Sequence, residues 1–258
     1  MPEPYLSIVV PAYNEEARIG PTLSSILAFA RGFARPVEVL VVDDGSTDRT
    51  AAVARDSVAA EVAPAGAPSV DFRLIANEVN RGKGFSIRRG VLEARGDVVL
   101  VSDADLSTPI EEAMRLLQIL ERTGRGLVIG SRAVPGARVE VHQSLLREMM
   151  GKTFNGIVRL VTGLPFYDTQ CGFKLMTRRE ATPLFEVARI DGFGYDVEIL
   201  YLAARRGLPV QEVAVTWRNA PGSKVGLLTD PVRMLRDVLR VRRLDKKGLY
   251  GPGKRARR

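Results

Sequence analysis

Histidine, cysteine and tryptophan each occur once in the 258 residues. With only His142 and Cys171, a disulfide within the chain, a Cys/His zinc cluster and a paired-histidine metal site are all excluded. A Ser-His-Asp mechanism would have to run through His142, which sits between Val141 and Gln143 with no signature around it and reads as a surface histidine. Any metal is thereby narrowed to a hard cation on oxygen ligands. Long apolar runs are missing too: none approaches the ~18 residues of a spanning helix. Met1-Pro-Glu-Pro4 lacks the basic start and apolar run of a signal peptide. The expectation is a protein made and kept in the cytoplasm. At 45% hydrophobic and 26% charged residues, the composition is that of an ordinary soluble globular protein, and the length fits one α/β domain with or without a tail.

The net charge of +8 suggests nucleic acid until it is located. Residues 231–258 alone carry +9, and the remaining chain carries −1. A neutral body, and a tail with no aromatic residue besides Tyr250, argue against a nucleic-acid partner.

Apolar periodicity alternates strand and helix through the first half. Strands are expected at 6–11, 37–42, 72–76, 97–102 and 126–130, with helices at 16–30, 47–60, 83–94 and 109–123. This order predicts a mostly parallel sheet with helices on both faces and ligands at the carboxyl ends of its strands. The second half is less regular, with helices expected at 145–161, 196–206 and 229–244 and one strand at 210–217. The predicted division is a domain over 1–228, a basic amphipathic helix over 229–247 and a disordered basic tail over 248–258.

Acidic residues fall where strands end. Asp43-Asp-Gly-Ser46 follows one strand and Asp103-Ala-Asp105 another. Carboxylates at i and i+2 leaving a strand point to one side and repel, so they favour a cation with a diphosphate beyond it. A solvated Asp-x-Asp turn is the plain alternative. Asn80-Arg-Gly-Lys-Gly84 opens a helix with glycines that permit close backbone approach and with Lys83 as a charge. It suits phosphate, and it equally suits an ordinary helix start.

Taken in order, Val9-Val-Pro-Ala-Tyr-Asn-Glu15, Val42-Asp-Asp-Gly-Ser-Thr-Asp48, Asn80–Gly84 and Asp103-Ala-Asp105 resemble the family 2 glycosyltransferases of the nucleotide-sugar-binding GT-A fold. The second half adds Gly130-Ser-Arg132, Asp168-Thr-Gln-Cys-Gly-Phe-Lys174, Tyr195-Asp-Val-Glu198, Trp217 and Gly222-Ser-Lys224. These look like the polyprenyl-phosphate sugar transferases, with the dolichyl-phosphate glucosyl and mannosyl branches nearest and the glucosyl branch favoured. The chain departs from the mannosyl branch at Ser107, where glutamine is usual, and it lacks the membrane-spanning helices of many relatives.

The resemblance implies an inverting, metal-dependent transfer of a hexose from a nucleotide sugar, UDP-glucose before GDP-mannose, to a polyprenyl phosphate. It implies donor contacts at Pro11, Ala12, Tyr13, Glu15, Asp43, Lys83, Asp103 and Ala104, and Mg²⁺ or Mn²⁺ on Asp105. Arg218 and Lys224 would face the leaving diphosphate, and Arg132 and Arg147 the acceptor phosphate. Asp196 stands where related transferases place a base. A phosphate monoester is largely dianionic at pH 7 and can attack unaided, so Asp196 is expected mainly to position groups. Cys171 reads as a packed thiol, and Trp217 as either core or a lid over a sugar.

On the last helix Arg233, Arg236, Arg240 and Arg243 share one face, with Met234, Leu235, Val238, Leu239 and Val241 opposite. That describes a helix on an anionic membrane, or one packed on the domain with a solvated outer face. The first reading is favoured, giving a peripheral protein on the cytoplasmic face of a membrane. Leu145, Leu146, Met149, Met150, Phe154, Ile157, Val158 and Val161 would then form a lipid-facing wall or an ordinary core helix. A transferase with a soluble acceptor is the competing function.

Overall fold

In a computed structural model of the chain, the described residues are 3–60, 70–141, 145–218 and 229–251. His142, Lys224, the 63–69 loop, the 222–224 motif and residues 252–258 lie outside them, as does the side chain of Arg147.

The chain runs β1 (Leu6–Ala12), α1 (Ile19–Gly32), β2 (Val37–Asp43), α2 (Thr50–Ala60), β3 (Val70–Ala76), α3 (Lys83–Glu93) and β4 (Val98–Val101). There follow α4 (Glu112–Thr123), β5 (Leu127–Ser131), β6 (Arg138–Val141), α5 (Leu145–Thr162), β7 (Lys174–Thr177) and α6 (Arg178–Val187). The last elements are α7 (Tyr195–Arg205), β8 (Val210–Ala214), β9 (Thr216–Arg218) and α8 (Thr229–Lys246). A seven-stranded sheet has the order β3-β2-β1-β4-β7-β5-β8, parallel except for β7, which runs antiparallel to both neighbours.

Every residue of β1 and β2 is buried, as a sheet covered on both faces requires. The period of two divides their side chains between two cores. Val9, Leu40 and Val42 pack with α3 and α7 on one face. Ile8, Val10, Val39 and Val41 pack with α1 and α4 on the other.

The mostly parallel α/β architecture expected from the sequence is present, with corrections in the second half. The strand expected at 210–217 is two. β8 joins the main sheet, and the chain then breaks at Val215 so that β9 pairs with β6 in a separate ribbon. β6, β7 and α6 were not anticipated. α6 carries Pro183 in its interior, which disguised it as a loop.

The final helix rests on the domain. Val238 and Val241 are fully buried in the core and Met234 nearly so, while the arginines at 233, 236, 240 and 243 face outward. On α5, Val158 is buried in the same core, whereas Met149 and Leu160 are exposed. No helix among the described residues is long and apolar enough to cross a membrane.

Candidate active site

The carboxyl ends of β1, β2 and β4 converge on a cleft of about 380 Å³. Of the residues expected to bind donor, Pro11, Ala12, Tyr13, Glu15, Lys83, Asp103 and Ala104 line it, and so does Asp105. Asp44 and Asn80, from the two loops singled out in the sequence, line it as well, and so do Arg18, Phe193 and Arg233, which were not anticipated as donor contacts.

A ladder of side-chain hydrogen bonds sets its rim. Asn14 Oδ1 accepts from Thr47 N at 2.8 Å, Ser46 Oγ accepts from Asn14 N at 2.9 Å, and Thr50 Oγ1 accepts from Glu15 N at 2.6 Å. These tie the loop after β1 to the loop after β2. Asn14 and Leu106, each next in sequence to a cleft-lining residue, hold left-handed backbone (φ 52° and 44°), and such strain in non-glycine residues collects at functional sites.

Asp43 and Asp44 divide the work between them. The Asp43 carboxylate accepts from the backbone N of Ser46 at 3.1 Å and from its hydroxyl, closing the turn rather than lining the cleft. Asp44 accepts from Asn77 Nδ2 at 2.7 Å, Arg81 N at 3.0 Å and Gly82 N at 2.8 Å. It thereby clamps the loop that delivers Lys83. Gly82 (φ 103°) permits this path, because a Cβ there would overlap the Asp191 carbonyl.

Lys83 Nζ lies 2.6 Å from Asp103 Oδ1. Burial works against the ionised Asp103, but Lys83, helped by Lys174 and Arg132, outweighs it and holds the carboxyl below the ordinary carboxylate range. Behind this pair, Lys174 at the start of β7 contacts the Asp196 carboxylate and the Cys171 carbonyl. Lys174 is 1% exposed and Asp196 3%. Burial pushes the Asp196 carboxyl up, opposed by Lys174 and Lys83. Two lysines and two aspartates thus form a cluster at the meeting of β4, β7, α3 and α7. Cys171 is buried, and burial raises its thiol pKa, as an inert packed cysteine requires.

Gly172 abuts Asp103, and a methyl group there would overlap the carboxylate. Gly172→Ala is therefore expected to displace Asp103 and to cost about 1–3 kcal/mol of overpacking. A thermal melt together with a kcat measurement checks it, since overpacking away from the site would lower Tm alone.

Arg132, at the end of β5, gives Nε to Asp168 Oδ2 at 2.7 Å and Nη2 to Oδ1 at 2.9 Å. Its guanidinium also stands 5.4 Å from the Trp217 ring centroid. The fork expected to read a phosphate is thus engaged by a carboxylate, leaving the N–H donors that Asp168 does not take. Arg218 does not line the cleft. It lies on β9 with Nε 2.5 Å from Glu140 Oε2, while its backbone N donates to Ser107 O at 2.7 Å.

The described residues hold no cluster of three or more acidic, histidine or cysteine side chains able to cage a metal. Asp103 is paired with Lys83, and Asp105, whose Oδ1 accepts from Ser107 N at 3.0 Å, is the remaining carboxylate of the pair at the cleft. One carboxylate facing a space for a ligand fits Mg²⁺ or Mn²⁺, which take few protein oxygens and complete their shell with phosphate and water.

Comparison with known proteins places the chain in a family. Among curated relatives, the dolichyl-phosphate beta-glucosyltransferase of Dictyostelium discoideum is 35% identical over 92% of this chain and 74% of its own. That of Homo sapiens is 35% identical over 93% and 76%. Among solved structures, glucosyl-3-phosphoglycerate synthase from Mycobacterium tuberculosis, in complex with Mn²⁺, UDP-glucose and glycerol 3-phosphate, superposes with a TM-score of 0.67. At 22% identity over 95% of this chain and 80% of that one, it shares the fold. The family described as glycosyl transferase family 2 matches residues 7–181, which include the Asp168–Lys174 motif and every cleft-lining residue except Phe193 and Arg233. The chain belongs to glycosyl transferase family 2.

Proposed function

We propose that this protein transfers glucose from UDP-glucose to a dolichyl-type polyprenyl phosphate, with inversion at the anomeric carbon. The observation that carries the reading is the likeness to dolichyl-phosphate beta-glucosyltransferases along 92% of the chain. A cleft whose charges suit a nucleoside diphosphate supports it.

Asp105 would hold the divalent cation, whose bound charge neutralises the departing diphosphate. Lys83 adds a fixed cation at the same wall, supplied by the loop that Asp44 clamps. Arg132, oriented by Asp168, keeps N–H donors for the acceptor phosphate. Arg147, Lys224 and Arg218 remain proposed phosphate contacts on the strength of the family resemblance alone. The acceptor, with a second pKa of about 6, arrives as a dianion at pH 7 and needs no base.

Asp196, buried against Lys174, acts by position. Asp196→Asn is accordingly expected to lower the turnover of folded enzyme by less than about tenfold with a phosphate acceptor. General-base catalysis on a hydroxyl acceptor would lose about 10²–10⁴-fold. Initial rates on a verified lipid phosphate distinguish the two.

The membrane part of the reading rests on charge. The outward arginines of α8 and the lysine and arginines at 254, 255, 257 and 258 supply about 1 kcal/mol each where they approach an anionic surface. Because α8 contributes Val238 and Val241 to the core, the informative truncation ends at Gly251 rather than before the helix. The full chain should sediment with anionic liposomes at low salt, release at high salt and ignore neutral liposomes, and the truncated chain should bind more weakly. Equal sedimentation of the two proteins would remove the tail from the membrane contact.

The donor is tested by a thermal-shift panel of UDP- and GDP-sugars with Mn²⁺. Stabilisation grows as RT ln(1 + [L]/Kd), about 2.7 kcal/mol at a hundredfold excess over Kd. UDP-glucose should give the largest shift. A larger shift with GDP-mannose would move the proposal to mannosyl transfer.

A further inference from the structure

A second cavity lies beside the donor cleft, between α8 and residues 80–83 and 191–193. It is a groove of about 740 Å³ whose outer wall is the arginine face of α8. Arg236, Arg240 and Arg243 recur at i, i+4 and i+7, so they form one stripe. None of the three side chains makes a hydrogen bond or close ion pair with another described residue, although Arg240 and Arg236 stand near enough to the Asp237 carboxyl to oppose the upward push of burial on it. The acids in the groove are already engaged. Asp191 pairs with Arg88 at 2.6 Å, and Asp237 packs against the Gly194 backbone, whose N–H bonds to its carboxyl. Phe193, Met234 and Leu239 give the same groove an apolar side.

We infer that this groove binds the headgroup phosphate of an anionic phospholipid, and that its occupant weakens nucleotide binding in the adjoining cleft. The inference rests on the proposed membrane contact and deepens it, replacing a diffuse basic face by a discrete site. The stripe extends about 10 Å along the helix axis. That is longer than a single phosphate group and matches a phosphate with its polar and glycerol portions. The apolar side suits the start of acyl chains. Lys83 and Arg233 line the groove and the donor cleft alike. An anion in the groove therefore draws on cations that also face the diphosphate, and like charges held close oppose each other. The functional consequence is release of the nucleoside diphosphate product when the enzyme is seated on its membrane.

The test uses the full chain and dihexanoyl phosphatidylglycerol below its micelle concentration, so that no bilayer is present to confuse local binding with general adsorption. UDP with Mg²⁺ is titrated calorimetrically with this lipid, with dihexanoyl phosphatidylcholine, or with inorganic phosphate at equal concentration. The anionic lipid should raise the Kd for UDP about fivefold, the equivalent of losing one shared charge contact. The choline lipid and inorganic phosphate should leave it within twofold. The triple substitution Arg236→Ala, Arg240→Ala, Arg243→Ala should abolish the lipid response. An unchanged Kd, or a triple variant that responds like the wild type, overturns the inference, and an equal response to inorganic phosphate overturns the lipid assignment. Direct titration of phosphatidylglycerol into wild type and triple variant without UDP keeps the groove testable on its own. Absence of UDP binding under all conditions would count against the donor cleft instead, and absence of liposome binding against the membrane contact.

Discussion

Replacing Asp105 by alanine is expected to lower transfer by about 10³-fold or more while leaving Tm unchanged. The carboxylate lies at the cleft and outside the Lys83–Asp103 pair, and its hydrogen bond from Ser107 N closes only a local turn, so the fold survives its loss. Charge neutralisation by a divalent cation contributes several kcal/mol to a transition state that expels a diphosphate, and each 1.36 kcal/mol is a factor of ten in rate. Asp103→Ala should behave differently. It leaves Lys83 facing the cleft without its partner and should lower both activity and Tm. Chelation of wild-type enzyme should reproduce the Asp105→Ala loss, and excess Mg²⁺ or Mn²⁺ should restore wild type but not the variant. Full activity in excess chelator would contradict a metal held at Asp105.

The largest stability effect is expected at a residue that touches no substrate. Lys174→Met removes the cation beside Asp196 at a site where both side chains are buried. Breaking a buried pair by deleting one partner costs about 3–5 kcal/mol, or a Tm drop of about 10 °C for a chain of this size. The pH dependence separates this from simple loss of packing. The Asp196 carboxyl is raised by burial and held back by Lys174 and Lys83, with Asp103 and the Tyr195 phenol also facing it. Without Lys174 it rises further. A group whose folded pKa lies above its unfolded value binds more protons in the folded state, so stability falls as pH rises through that range. The Tm deficit of Lys174→Met should therefore shrink as the buffer is acidified. Adding Asp196→Asn, which removes the uncompensated charge, should recover much of the loss at neutral pH. A deficit independent of pH, with no recovery in the double variant, would mean that packing rather than charge is at stake.

The first half of the chain was legible because its strands are uniformly apolar and its ligand-bearing loops follow them directly. Strand ends and chemistry coincide at Ala12, Asp44 and Asp103. What the pattern could not decide was which of two adjacent carboxylates faces the cleft. Successive side chains alternate sides, so Asp43 and Asp44 cannot both do so, and the choice depends on the Asn80–Gly84 loop docking on Asp44. β7 was hidden for a different reason. It is four residues long and begins with Lys174, a charge that periodicity assigns to the surface and that Asp196 makes tolerable inside. The partners of Arg132 and Arg218 were likewise out of reach, since Asp168 and Glu140 approach them only through long-range folding. On α8 the amphipathic pattern was plain, but the identity of its apolar partner was a property of the rest of the core.

The most direct test of the proposed activity is transfer of radiolabelled glucose from UDP-glucose to a purified polyprenyl phosphate by the full chain, with organic-phase product quantified. The expected product is a lipid phosphoglucose that carries the β configuration, forms only with divalent metal and is not made by Asp105→Ala. Absence of lipid product, together with transfer of the label to a soluble phosphorylated acceptor, would contradict it.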